Sequence, residues 1–254
     1  MEFEQVRDVI KGVPFMSEEQ GKMIYDFVRA SGVRECLELG IGHGVGSCYI
    51  GAALQETGGR LMSIDRTSAK EREPNVETLL KRAGLESIVT PVYEPNSYTW
   101  ALLRMIEEHS EDGLCTPCLD FCFVDGAHLF EPDACAFFLA DKLLKPGGWL
   151  LFDDLFWTIG SSEFAQEEWA AKLSAAEREQ PHILKVYDVL VKQHPGYGDF
   201  RITGQWGWAR KQGGGGAGNA LDAIGAHETL KGYLKRYLRP WKRRLKKLAG
   251  FYGG

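Results

Sequence analysis

A glycine at every second position from 40 to 46, in Glu38-Leu-Gly40-Ile-Gly42-His-Gly44-Val-Gly46, limits the fold of this chain more than any other segment. Each glycine loses more backbone freedom on ordering than any other residue, so such a run continues neither a helix nor a ladder. It suits a turn whose amide N–H groups stay open and whose main chain a ligand can approach closely. The apolar stretch before it, residues 35–40, has strand character, and helical spacing resumes over 46–57. Strand, glycine turn and helix in that order open a βαβ unit.

The alternation continues downstream. Strands are predicted at 60–65, 88–93, 119–125 and 149–154, separated by helices at 74–83, 98–109 and 132–144, the last stopped by Pro146-Gly147-Gly148. An earlier helix over 18–30 has Met23, Ile24, Phe27 and Val28 on one face and Ser17 as its cap. Further helices are predicted at 163–176 and 183–193, and residues 199–203 and 206–210 flank Gly204-Gln205 as a hairpin. The fold expected is α/β: a doubly wound, mostly parallel seven-stranded sheet with an antiparallel C-terminal hairpin.

Composition narrows the class. With 44% hydrophobic and 26% charged residues the chain can bury a core, which excludes disorder throughout. No apolar run is long enough to span a membrane, and residues 1–13 carry acids where an export signal would be apolar, so a cytoplasmic location is expected. The six cysteines (36, 48, 115, 118, 122 and 135) read as reduced residues, and Cys115-Thr-Pro-Cys118 has no second pair nearby to complete a zinc site.

In open α/β sheets ligands bind at the carboxyl ends of the strands. After the first strand stands the glycine turn. After the second stands Asp65, where an acid can hold a ribose diol, and after the third Asn96-Ser97, polar groups suited to an adenine edge. The dinucleotide fingerprint fails, because Gly42-x-Gly44-x-x-Ser47 lacks its third glycine. Glu38, two residues before the first glycine, suits a ligand with a positive amine, such as S-adenosylmethionine. The fourth and fifth strands end in Asp125-Gly-Ala-His128 and Asp153-Asp154. Carboxylates on neighbouring strand ends repel unless a cation intervenes, oxygen ligands favour magnesium, and a histidine can take a proton at neutral pH.

The run 38–44 with Asp65, Ser97 and the hairpin resembles class I S-adenosylmethionine-dependent methyltransferases across residues 15–212, a Rossmann-like fold. That resemblance implies that Gly40, Gly42 and Gly44 cradle the methionine part, with Glu38 near its amine, Asp65 on the ribose and Ser97 by the adenine. Asp125-Gly-Ala-His128 with the Asp153-Asp154 pair is similar to catechol O-methyltransferase and, more closely, to macrocin-type sugar O-methyltransferases. It implies Asp125, Asp153 and Asp154 as magnesium ligands, although Asp154 stands where asparagine is often found, and His128 as the base. The activity implied is O-methylation of a small-molecule or glycan hydroxyl, a sugar favoured. Two other readings stay open: an oxidoreductase like the cephalosporin hydroxylases, which share the Asp-Gly-x-His pattern, and a non-catalytic cofactor-binding protein. Trp149, Phe152, Phe156 and Trp157 read as core or pocket wall, Met16-Ser17 as the site entrance, His43 as exposed, and His182 and His194 as lacking evident partners.

Charge divides the chain. The net charge is −5, yet residues 213–254 hold nine bases against two acids. A glycine-rich linker over 213–226 leads to a tail, 227–254, with Leu230, Tyr233, Leu234, Tyr237, Leu238, Trp241, Leu245 and Leu248 at helical spacing. Such a stripe suits an anionic membrane surface, which would place the protein peripherally on the inner face. It equally suits docking of 227–250 on the acidic body or on a partner protein. No nucleic-acid motif accompanies the bases.

Overall fold

The computed structural model describes residues 1–213; the predicted linker beyond Gly213 and the basic tail lie outside the described residues. Seven strands form one sheet: β1 (Glu35–Leu39), β2 (Arg60–Arg66), β3 (Val89–Glu94), β4 (Leu119–Val124), β5 (Leu144–Phe152), β6 (Tyr197–Thr203) and β7 (Trp206–Lys211). Their order is β3-β2-β1-β4-β5-β7-β6. The first five are parallel, while β7 runs antiparallel to both β5 and β6, as the hairpin prediction required. The crossover helices are α3 (Val45–Thr57), α4 (Val76–Ala83), α5 (Thr99–Glu108) and α6 (Phe130–Leu143), preceded by α1 (Phe3–Ile10) and α2 (Glu18–Ser31).

The two-residue period of the strands sorts their side chains onto two cores. On β4, Phe121 and Phe123 join Phe27, Trp149 and Trp208 under α2 and α3, whereas Cys122 and Val124 join Leu37, Leu39 and Phe137 under α5 and α6. Phe27 lies within 6 Å of three aromatic rings, at centroid distances of 5.2 Å to Phe121, 5.8 Å to Trp149 and 4.6 Å to Trp208. Buried aromatic pairs of this kind add to the area they remove from water. Helix α2 starts where the sequence placed it: Ser17 Oγ accepts from the Gln20 N–H and the Gln20 side chain answers, a reciprocal cap, and Gly32 ends the helix in left-handed conformation.

Several sequence expectations are corrected. Residues 1–13 contain α1, whose apolar positions Phe3, Val6, Val9 and Ile10 follow helical spacing and bury Phe3, Val6 and Ile10, an element the sequence reading did not name. The predicted helix over 163–176 is a pair of one-turn pieces, Glu163–Gln166 and Glu168–Ala171, followed by Ala175–Glu179. Among residues 164–176 only Ala170 is buried, so no apolar face docks a continuous helix, and Ser174 caps a new turn instead. The helix foreseen at 183–193 begins at His182 and changes to a π-helix over Val186–Val191. Strand β5 starts at Leu144, ahead of Pro146-Gly147-Gly148; the pairing with β4 shifts register between Leu119 and Phe121, a bulge that accommodates residues read as a stop. A two-residue hairpin, Ser110–Glu111 with Leu114–Cys115, was not foreseen.

Candidate active site

Three backbone hydrogen bonds run like steps across the carboxyl ends of the strands. The Gly40 N–H donates to the Ile64 carbonyl (2.8 Å), the Asp125 N–H to Leu39 (2.8 Å) and the Asp153 N–H to Val124 (3.0 Å). They draw the glycine turn, Asp65, Asp125 and Asp153 onto one rim. The turn also presses on its neighbour: a Cβ on Gly40 would overlap the Asp125 carbonyl oxygen and stand 2.5 Å from its carbon. Gly40, Gly42 and Gly44 all take left-handed φ angles, +96°, +57° and +98°. A Cβ on Gly44 would meet Val76 at 2.6 Å, whereas one on Gly42 would meet only Phe15, at 3.5 Å, so Gly42 is the open face of the turn.

Glu38 sits under the turn, 1% exposed, accepting a hydrogen bond from Ser47 Oγ, which itself lies 3.2 Å from Ser63 Oγ. Burial pushes its carboxyl up to about 7 against the opposing effect of the serine hydroxyls. Asp65 Oδ2 accepts the N–H groups of Ile41 (2.8 Å) and Gly42 (3.0 Å), which locks the turn to the end of β2, and Oδ1 accepts the Arg66 N–H (2.6 Å). Ser97 is near the same rim, but its hydroxyl serves α5: it accepts the Thr99 N–H at 3.2 Å and pairs with Thr99 Oγ1 at 2.9 Å.

The opposite wall holds the acids. His128 Nε2 lies 3.8 Å from Asp125 Oδ1 and 3.9 Å from Asp154 Oδ2, and its ring packs 5.5 Å from that of Trp157. Both His128 and Asp154 have positive φ, +53° and +51°. Asp153, 4% exposed, turns Oδ1 back onto the Asp154 N–H at 2.6 Å. Burial, then the charges of Asp153 and Asp154, hold the Asp125 carboxyl well above the usual carboxylate range, and burial and Asp154 push Asp153 up to about 7. Among the described residues no group of three or more His, Cys, Asp and Glu side chains is set to hold a metal ion. Asp125 and Asp154 converge at His128; Asp153 faces its neighbour's main chain.

Beside these acids opens a cavity of about 650 Å³, within the range of small-molecule sites. Its walls include Phe15, Ser17 and Met23 from the start of α2, Asp153 and Asp154, and the hairpin turn at Gly204, Gln205 and Trp206. Ser17 lines this cavity, while Met16 borders a separate, smaller cavity by α1. Phe15 and the hairpin turn were missed. A lone aromatic after Val13-Pro14, flanking the capped start of a helix, was the available signal for Phe15. Trp149 and Phe152 are core, as read. His43 is not free: it is half-buried, with Nδ1 2.7 Å from the Pro74 carbonyl oxygen. His182 and His194 also have partners, the former Phe130 and Glu177, the latter the Gly196 N–H and the rings of Phe137 and Tyr197.

This sheet order, with a glycine turn after β1 and an acid after β2, is that of the Rossmann-like methyltransferase fold. Residues 37–155, from within β1 to just past the Asp153-Asp154 pair, match a family model described as a methyltransferase domain. Among solved structures, the chain is similar to an O-methyltransferase from Bacillus cereus in complex with SAH (20% identity, TM-score 0.60, covering 84% of this chain and 92% of that one). It is similar also to the O-methyltransferase TomG from Streptomyces achromogenes in complex with SAM (18%, TM-score 0.56, 83% and 89%) and to an SAH-bound methyltransferase from Podospora anserina (16%, TM-score 0.58, 83% and 87%). A search of curated proteins returns no match. Among the described residues no helix is long and apolar enough to cross a membrane.

Proposed function

We propose that this methyltransferase transfers the methyl group of S-adenosylmethionine to a hydroxyl oxygen of a small-molecule acceptor, with His128 taking the hydroxyl proton. The observation that carries this reading is the position of His128 Nε2, within 4 Å of two carboxylates, one of which also lines the cavity. Asp125 and Asp154 flank the imidazole, 3.8 and 3.9 Å from Nε2. The bound cofactor supplies an electrophilic methyl group. The chain's own contribution is to hold two reactants in one geometry: Gly42 leaves room for the methionine part, Asp65 keeps the turn in place and offers oxygens to the ribose, and Ser97 borders the adenine side. Glu38 faces the amine from beneath the turn.

Glu38 gives this reading a pH signature. An ammonium group prefers the ionised carboxylate, and a carboxyl raised to about 7 ionises only as the pH passes neutrality. Cofactor affinity is therefore expected to rise about tenfold from pH 6 to pH 8, the change in ionised fraction across such a pKa. Isothermal titration at the two pH values checks it, and Glu38→Gln should be weak and flat at both. A wild-type affinity independent of pH would remove Glu38 from the amine.

Asp125 and Asp154 fit magnesium as an open pair, since that ion commonly takes one or two carboxylates and completes its shell with water and substrate oxygens. Asp153 fits as an outer support through the Asp154 main chain. When bound, the ion would lower the pKa of an acceptor hydroxyl. Of the charged residues that line the cavity, Glu19, Asp26, Asp153 and Asp154 are acids and Lys22 is the base, its Nζ 2.6 Å from Asp26 Oδ1. Such a wall suits a neutral hydroxyl, and we favour a sugar, over a phosphorylated acceptor. With methyl-labelled cofactor and a panel of saccharides and phenols, EDTA should abolish transfer and added magnesium restore it. Label entering phosphorylated acceptors alone, or transfer indifferent to EDTA, would refute the acceptor or the metal respectively.

A further inference from the structure

The turn that carries His128 is gripped from the side by buried polar groups to which the reaction assigns no role. The Ala127 N–H donates to Tyr98 Oη (3.3 Å), the Leu129 N–H to Asp133 Oδ2 (3.0 Å) and the Phe130 N–H to His182 Nδ1 (3.1 Å). Tyr98 Oη in turn donates to Asp133 Oδ1. Because His182 Nδ1 accepts, its Nε2 carries the proton and donates to the Glu177 carbonyl oxygen at 2.8 Å. The three side chains are 4%, 0% and 8% exposed. Gly126 makes the grip possible, since a Cβ there would stand 2.5 Å from Tyr98 Cε1.

Two physical facts give this arrangement meaning. A fully buried carboxylate is costly, and apolar residues would fill the same space between α5 and α6 at less expense in free energy. His128, enclosed by the three bonded amides, has a φ of +53°, a conformation that a residue with a Cβ keeps only when its surroundings over-determine it. We infer that Tyr98, Asp133 and His182 are positioning residues, a clasp that fixes the 125–130 turn so that the His128 imidazole stays between Asp125 and Asp154. The inference rests on His128 being the base. It adds Tyr98 at the entry to α5, Asp133 of α6 and His182 ahead of β6, none of which lines the cavity.

Tyr98→Phe keeps the ring that fills the space over Gly126 and removes one hydroxyl. Its kcat should fall by roughly tenfold to a hundredfold, the penalty of a reacting group misplaced by about an ångström. The acceptor KM and the cofactor dissociation constant should stay within about twofold, because those sites are untouched. Amide hydrogen exchange in the 125–130 peptide should accelerate, while that of the β1 and β4 peptides should not. Tyr25→Phe is the matched control: it loses a buried hydroxyl bonded to the Met1 carbonyl and Glu56, and its kcat should be unchanged. A second pair covers the case in which Tyr98→Phe folds badly. His182→Asn keeps an acceptor for the Phe130 N–H and should retain kcat, whereas His182→Leu should lose it. Faster exchange with unaltered kcat would overturn the inference, as would unaltered exchange. If His128→Ala is fully active while Tyr98→Phe still loosens the turn, the base assignment has failed and the positioning role falls with it.

Discussion

His128→Ala lowers kcat by about two to four orders of magnitude, the usual worth of a positioned general base, and leaves cofactor affinity within about twofold. The separation follows from the geometry. The imidazole stands on the acid wall, between Asp125 and Asp154 and against Trp157, and none of its contacts reaches the glycine turn. Alanine also relieves none of the φ strain, so the turn keeps its shape and the loss reads on proton transfer. Added imidazole should recover part of the rate if the space vacated admits it. The measurement is steady-state turnover beside isothermal titration of the cofactor. Turnover equal to wild type would dismiss His128, and a parallel loss of cofactor affinity would show that the residue shapes the pocket instead.

Gly40→Ala acts on the other wall and on stability. An alanine at φ +96° costs about 1–2 kcal/mol before any contact is counted. Here the new Cβ also runs into the Asp125 carbonyl group, which cannot retreat freely because the Asp125 N–H is bonded to Leu39 on the adjoining strand. The combined loss should be about 3 kcal/mol or more, with cofactor binding abolished, since overpacked main chain moves as a unit. Gly58→Ala isolates the dihedral contribution: its φ is +78° and a Cβ there meets nothing within 4 Å, so about 1 kcal/mol is expected. Denaturant unfolding of the two variants decides the matter. Equal losses would mean that the turn and the Asp125 main chain do not brace one another.

What the sequence revealed and what it concealed divide along a physical line. Strands β1, β4 and β5 were readable because burial on both faces writes near-continuous apolar runs, and β2 and β3 from their place in the alternation with helices, each followed by glycine or polar punctuation. The hairpin was readable from Gly204 between aromatic strands. Elements whose shape depends on distant packing were not. The bulge that lets β5 begin at Leu144 depends on β4, and the broken helix after residue 163 on the absence of a docking face. Among site residues the distinction is sharper. Asp65, Asp125 and Asp153 could be placed on one rim by strand order alone, whereas the engagement of the Ser97 hydroxyl with Thr99 could not be read. His182 looked solitary because one partner, the Phe130 N–H, lies 52 positions earlier in the chain and the other is a main-chain carbonyl, at Glu177, which no residue type announces. Hydrogen bonds between segments leave no local period to detect.

The cavity wall opposite the acids comes from elsewhere in the architecture: the lead-in to α2 and the tip of the β6–β7 hairpin. The hairpin tip meets the strand ends where the Leu155 N–H donates to the Gln205 carbonyl oxygen at 2.9 Å. On the proposed reading, acceptor choice and transfer chemistry sit largely on different segments. Exchanging the cavity-lining side chains at 15, 17, 19 and 23 and at the hairpin tip should then retune which alcohol enters, while the strand ends keep their alignment.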